Sequence, residues 1–177
     1  MLSVSSRRLQ DVSGAEVHVP DPSRLVHLQF RRFAGCPVCN LHLRSIVKRH
    51  AEIEAAGIRE VVVFHSSAAD LREHVAGLPF AVIPDPTKRL YREFGVESSR
   101  RSLLHPRVWP HIAAAVARSV WSLLRGRGRA PSLTPAGGRW GLPADFLINP
   151  DGTLRASRYG EHAYDQWTVD DLLQLAR

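Results

Sequence analysis

Two periods of apolar residues take turns along this chain, and together they outline alternating strands and helices. Leu25-Val-His-Leu-Gln-Phe30 alternates apolar and polar residues, as a strand does. After Gly35-Cys36, the positions Leu41, Leu43, Ile46, Val47, Ile53 and Ala56 approximate helical spacing and predict a helix from Pro37 to about Ala56. Gly57 is its natural stop. Ile58-Arg-Glu-Val-Val-Val-Phe64 has the apolar density of a central strand buried on both faces. Ser66 or Ser67 can cap a helix from Ala68 to about Ala76. Phe80–Ile83 reads as a strand ended by Pro84-Asp85-Pro86, and Thr87–Phe94 as a short helix closed by Gly95. This β-α-β-α-β-α order predicts a mostly parallel sheet with helices on its faces.

The flanking segments read differently. Residues 1–24 are polar, with Pro20-Asp21-Pro22, and predict an irregular arm or a short hairpin. A helix is expected roughly from His111 to Arg125, introduced by His105-Pro106 and Trp109-Pro110 and followed by a loop-like Gly126–Gly138. Ala144–Ile148 and Thr153–Tyr159, joined by Asn149-Pro-Asp-Gly152, predict an antiparallel hairpin. Thr168 and Asp171 form a capping-box pattern at the start of a last helix, Thr168–Ala176. With 177 residues and 44% hydrophobic content, one substantial core is expected in a single domain, 1–177. Within it, 1–24 is an N-terminal arm and 98–140 an insert.

Charge sharpens the picture of that insert. The chain carries a net +7, yet residues 98–140 hold eight arginines and no Asp or Glu, so the remainder sums to about −1. The basic character is therefore local. Nothing resembles a base-reading motif, and nucleic acid is set aside as a partner. Ile112, Ala113, Val116, Val120, Trp121 and Leu124 make a broad apolar stripe on the insert helix. Packing on the domain is its ordinary role. A homodimer contact, or docking on an anionic membrane surface or acidic partner between Arg125, Arg127 and Arg129, is the alternative. Met1–Gln10 lacks the apolar run of a secretion signal, and no window approaches the roughly 20 apolar residues of a membrane span. A soluble cytoplasmic protein is expected.

The only two cysteines, Cys36 and Cys39, stand where the first long strand gives way to a helix. A thiol at the first turn of a helix faces unpaired N–H groups and the positive end of the helix dipole, which favour the reactive thiolate. The second thiol, one turn on, lies on the same face and can close a disulfide. Pro37 suits the first helical position, where its missing N–H costs nothing. The plain alternative is an inert pair of small core residues. A zinc site would need two more ligands from His42, His65, His105 and His111. Pro37 and the helix context favour redox chemistry instead, and no metal is expected. His65 ends the central strand at its carboxyl edge, where α/β sheets place ligands, and either stands near the site or only hydrogen-bonds a loop; Arg32 either lowers the Cys36 pKa or is a solvated surface arginine. Asp145 is a weaker candidate as a proton acceptor, while Tyr164 and Trp167 read as packing residues.

The run Phe30-Arg-Arg-Phe-Ala-Gly-Cys-Pro-Val-Cys39 resembles the peroxiredoxin-like branch of the AhpC/TSA superfamily. So do Val63–Ser66, Leu78–Pro86, Leu90–Val96, Gly141–Ile148 and Asp151-Gly152. The likeness spans about residues 25–97 and 140–177. It implies a thioredoxin-like α/β fold, a mixed central sheet flanked by helices, here with a basic helical insert. It also implies a thiol-dependent oxidoreductase. Cys36 would attack a disulfide or a peroxide, and Cys39 would resolve the product into a Cys36–Cys39 bridge. A thioredoxin- or glutathione-type reductant would reset that bridge, with no cofactor beyond the redox-active disulfide itself.

In that fold the proline before the third core strand is usually cis and faces the cysteine motif, and Pro143 matches it. Leu142 would then offer its backbone to an extended substrate, so that Leu142, Pro143, Pro37, Arg32 and His65 form the substrate side of the site. Two departures matter. Phe33 and Gln29 stand where a typical peroxiredoxin has Thr and Pro, so the hydroxyl that would orient a peroxide is missing and peroxide is expected to be the poorer substrate. The strand before the motif offers His27 and Gln29 but not the buried acid of a typical thioredoxin. The alternative function is a non-catalytic redox sensor or regulatory module docking through its basic insert.

Overall fold

Strand β3 (Leu25–Arg31) leads straight into the cysteine turn, and the other elements are arranged about it. The computed structural model describes residues 3–96, 109–125 and 141–177. β3 is the middle of five strands ordered β5-β4-β3-β6-β7. On one side β4 (Ile58–Phe64) and then β5 (Ala81–Pro84) run parallel to it. On the other, β6 (Ala144–Ile148) is antiparallel to β3, and β7 (Leu154–Tyr159) is antiparallel to β6. Parallel neighbours need long crossovers, supplied here by α1 (Pro37–Lys48) with α2 (His50–Ala55), and by α3 (Ala68–Val75). The short α4 (Arg89–Glu93), the insert helix α5 (Trp109–Leu124) and the closing α6 (Val169–Leu175) complete the helices among the described residues. This is the expected mixed sheet flanked by helices.

Each face of the sheet has its own cover. The N-terminal arm is a hairpin, β1 (Arg7–Gln10) with β2 (Glu16–Val19), whose turn is closed by Asp11 accepting from the N–H groups of Ser13 and Ala15. Leu9, Val17 and Val19 of this hairpin bury against Val26, Leu28, Phe30 and Phe146 on one face. Burying side chains of that size contributes about 1.5–3 kcal/mol each. The opposite face lies beneath α1, α2 and α6, where Ile46, Ile53, Leu147, Trp167 and Leu172 pack together. Thr168 and Asp171 cap α6 reciprocally, as their spacing predicts.

Several helix boundaries differ from expectation, two of them for reasons the structure shows. The helix expected to continue to Ala56 breaks at Arg49, whose backbone (φ −114°, ψ 19°) leaves the helical region. Its guanidinium is held by Glu52 and by Asp170 of α6, at 2.6–3.0 Å, and the new axis of α2 turns Ile53 into the core. α5 begins at Trp109 rather than His111, because Pro110 is tolerated in a first turn. His105, Arg127 and Arg129 lie outside the described residues.

Candidate active site

The cysteine turn is built by local geometry. Gly35 adopts φ +74°, a conformation that glycine reaches without penalty, and reverses the chain after β3. The Cys36 N–H then donates to the Phe33 carbonyl (3.1 Å), and Cys36 becomes the N-cap of α1 with Pro37 just inside the helix. The Cys36 sulfur accepts a hydrogen bond from the Cys39 N–H (3.3 Å), the place a capping oxygen usually takes. The two Sγ atoms are 2.7 Å apart, and both thiols are free. One turn of helix has therefore brought the pair within reach of a bond.

Electrostatics divide the pair unequally. Burial raises the Cys36 pKa, its neighbour Cys39 raises it further, and it ends well above the ordinary thiol range despite the nearby Arg32 charge. Burial opposes charge on Cys39 too. There the hydrogen bond with Cys36, the Arg32 guanidinium, the Arg32 backbone and Arg31 outweigh it and bring Cys39 down to about 7. Two thiolates at this separation repel, so only the first proton leaves readily and the macroscopic step belongs to the pair. Burial weighs against charge on Cys36, while Arg32 and Arg31 favour the anion, so the two touching sulfurs share the first negative charge.

The pair is also covered. Cys36 is 1% and Cys39 2% exposed. Ala115 of α5, itself buried, and Ile112 pack into the same apolar cluster as Phe33, Val38 and both cysteines. The insert helix thus packs against α1, the helix that the cysteine turn begins.

Beneath α1 lies a polar layer that a reading of β3 alone misses. His27, Gln29 and Arg31 all point to the α1 face of the sheet and are fully buried. The missing acid comes from the neighbouring strands. Glu60 faces His27 in the parallel ladder, and Asp145 faces Gln29 in the antiparallel one. His27 Nδ1 sits 2.9 Å from Glu60, Gln29 donates to the same carboxylate, and Arg31 Nη2 donates to Asp145 (2.7 Å). His27 Nε2 is 3.4 Å from Asp145, whose other oxygen accepts from the Trp167 N–H (3.0 Å). Although burial resists it, Glu60 and Asp145 raise His27 to about 9. Burial would raise Asp145, but Arg31 and His27 hold it well below the usual carboxylate range. Asp145 is thus engaged by Arg31, His27 and the Trp167 N–H.

Three further groups face this layer or the cysteines. His42, one turn beyond Cys39, is buried, and desolvation together with the Arg31 charge keeps it neutral at ordinary pH. The Tyr91 hydroxyl lies within hydrogen-bond reach of the carbonyls of Arg31 and Val63, to either of which it can donate, and burial and the Cys39 charge raise its pKa well above normal. His65 is buried between the rings of Tyr91 (5.7 Å) and Phe33 (6.4 Å). Of these, Glu60, Arg31 and Tyr91 were not singled out from sequence. The available signal was three polar residues on one side of a strand that the βα order makes central.

The 141–143 segment reaches the same corner. A β-carbon on Gly141 would stand 3.4 Å from His65 Nε2 and 3.5 Å from Arg32 Cγ, so Gly141, Arg32 and His65 converge. The Leu142–Pro143 bond is trans, correcting the expected cis proline: among the described residues the cis bond is Val19–Pro20. Trans is the favoured isomer of an X–Pro bond, and the Pro143 carbonyl in this form accepts the Gly160 N–H at 2.9 Å. Among the described residues no three His, Cys, Asp or Glu side chains gather as metal ligands. A cavity of about 440 Å³ lined by His50, Glu54, Arg59 and Phe80 opens at the amino ends of β4 and β5, the far end of the sheet from the cysteines.

This arrangement is that of a thioredoxin-fold protein with a paired-thiol turn. The chain belongs to the AhpC/TSA antioxidant enzyme family, whose sequence profile matches residues 45–162. The matched stretch begins beyond both cysteines, so it speaks for the scaffold rather than for the motif. Solved structures with this fold include peroxidoxin BcpB of Mycobacterium tuberculosis, at 14% identity and TM-score 0.68, covering 99% of this chain and 94% of that one. A mutant of peroxiredoxin 6 from Arenicola marina has 14% identity and TM-score 0.69, covering 99% and 70%. A protein described as a thiol:disulfide interchange protein DsbE, from Chlorobium tepidum, has 18% identity and TM-score 0.61, covering 99% and 96%. No curated protein matches the chain.

Proposed function

We propose that this protein is a thiol-dependent oxidoreductase that passes two electrons from Cys36 and Cys39 to a disulfide and, less efficiently, to a peroxide. The observation that carries this reading is the 2.7 Å contact between the two sulfurs at the start of α1, beside Arg32. The pair loses one proton near neutral pH, and the proton that remains can pass between the touching sulfurs. When it sits on Cys39, Cys36 is the thiolate at the helix N-terminus and the attacking group.

Cys36 then bonds to one sulfur of the substrate disulfide, and the other sulfur leaves as a thiolate that takes a proton from water. Cys39, whose anion Arg32 and Arg31 stabilise, gives its proton to solvent, attacks Cys36 and expels the second substrate thiolate. The protein is left oxidised by two electrons, and an external thiol of thioredoxin or glutathione type returns them. With a peroxide, Cys36 takes one oxygen as the O–O bond breaks, and Cys39 displaces it as water. Phe33, buried with the Arg32 guanidinium 5.3 Å from its ring centre, offers that oxygen no hydrogen bond. The polar corner of Arg32, His65 and Gly141 is the proposed substrate side. Leu142 and Pro143 border it, and a compartment that keeps thiols reduced, the cytoplasm, suits the cycle.

Burial of both thiols favours a second reading, a redox sensor that is oxidised once and signals rather than turns over. One assay separates the two. Pre-reduced protein is offered hydrogen peroxide and a small disulfide in turn, each with excess thioredoxin system or glutathione. Continuous turnover that vanishes in Cys36→Ser supports the enzyme. A single stoichiometric oxidation without turnover gives the sensor.

A further inference from the structure

Among the described residues six large apolar side chains are exposed, and five of them belong to α5: Trp109, Val116, Val120, Trp121 and Leu124. At 100° per residue, Trp109, Val116, Val120 and Leu124 fall in one stripe with Trp121 at its edge. Ile112 and Ala115 lie to the other side, against the cysteine cluster. The helix therefore has two apolar faces, of which only one is covered. Leu124 is 79% and Trp109 59% exposed, too much for a helix that has finished packing.

Charge indicates what meets the open face. The helix has no acidic residue, and the 98–140 segment around it carries eight arginines against about −1 for the rest of the chain. Arg118, exposed, and Arg125 fall together beyond the Trp121 edge of the stripe, and the Arg125 guanidinium lies 4.3 Å from the centre of the Trp121 ring. A second copy of the chain would bring two such segments together with no carboxylate in either to pair with the arginines. A bilayer surface containing anionic lipid meets every feature. Its phosphates take the arginines, its headgroup layer takes the indoles, and its outer acyl region takes Val116, Val120 and Leu124. No described helix is long and apolar enough to cross a membrane, so the contact lies in the plane of the surface.

We propose that α5 docks the protein on anionic lipid surfaces through Trp109, Val116, Val120, Trp121 and Leu124, flanked by Arg118 and Arg125. This stands independently of the thiol chemistry.

The test is sedimentation of the full chain with vesicles of phosphatidylcholine alone and of phosphatidylcholine mixed equally with phosphatidylglycerol. Binding is expected only to the mixed vesicles, weakening as salt rises. Trp121→Ser/Leu124→Ser and, separately, Arg118→Gln/Arg125→Gln should each weaken it by about tenfold or more while thiol turnover in solution is unchanged. Equal binding to both vesicle types overturns the proposal, as does binding to neither. A concentration-dependent dimer without vesicle binding, abolished by Trp121→Ser/Leu124→Ser, would assign the face to a second copy. Capture by immobilised polyglutamate with none by vesicles would assign it to an acidic protein.

Discussion

His27 of β3 and Glu60 of β4 stand opposite each other in the parallel ladder, with the imidazole Nδ1 2.9 Å from the carboxylate and both side chains fully buried. This pairing fills the place where β3 alone offers no acid, and it ties the sheet's polar layer to pH. His27 is raised from 6.5 to about 9, so the folded protein holds this proton more tightly than the unfolded chain. The resulting stability is fully present below pH 6.5 and is lost as pH rises through 9, a change on the order of 3 kcal/mol. Urea midpoints between pH 6 and pH 10 should fall accordingly, and His27→Gln should flatten the dependence.

Arg31 and Asp145 are the other buried pair of this layer, at 2.7 Å. Asp145→Asn keeps the shape and removes the charge, leaving Arg31 buried without its counterion. Such a break costs about 3–5 kcal/mol, seen as a lowered urea midpoint. The double variant Arg31→Met/Asp145→Asn should recover part of that loss, because no lone charge is left buried. Equal stability of the single variant and the parent would show that the pair is neither buried nor coupled.

Arg32 supplies the nearby guanidinium that stabilises the anion of the cysteine pair. Arg32→Gln should raise the pH at which thiolate absorbance develops above that of the parent. Alkylation at pH 7 should slow in proportion. An unchanged titration would mean that the hydrogen bond between the sulfurs, not the cation, sets it.

In the proposed cycle Cys39 resolves the mixed disulfide. Cys39→Ser should therefore stall the cycle with substrate attached to Cys36, visible by mass spectrometry as a covalent adduct removed by dithiothreitol. Adducts found instead on Cys39 in Cys36→Ser, and none in Cys39→Ser, would exchange the two roles. Because both thiols are buried, alkylation of the native protein should be slow compared with the urea-unfolded chain at the same pH.

Much of the scaffold was legible because it is written in local patterns. The bounds of Ile58–Phe64 and of Ala144–Ile148, the Ser67 and Thr168 caps and the Cys36 corner each follow from a handful of adjacent residues. The break at Arg49 was not legible, since it is held by Asp170, a residue 121 positions away. The polar face of β3 shows the same limit. Its alternation was visible, but which acids would cross from β4 and β6 depended on ladder register.

What the residues alone determined is the order of strands and helices and the seating of two sulfurs at a helix start, since both depend on interactions within a turn or a strand. What only the tertiary structure decided is the environment of those sulfurs. The packing of α5 against α1, the nearby arginines and the neutralising layer of His27, Glu60, Arg31 and Asp145 come from contacts between distant segments. In a buried site, charge is set by what is brought close and what excludes water, and neither is encoded at any one position of the chain.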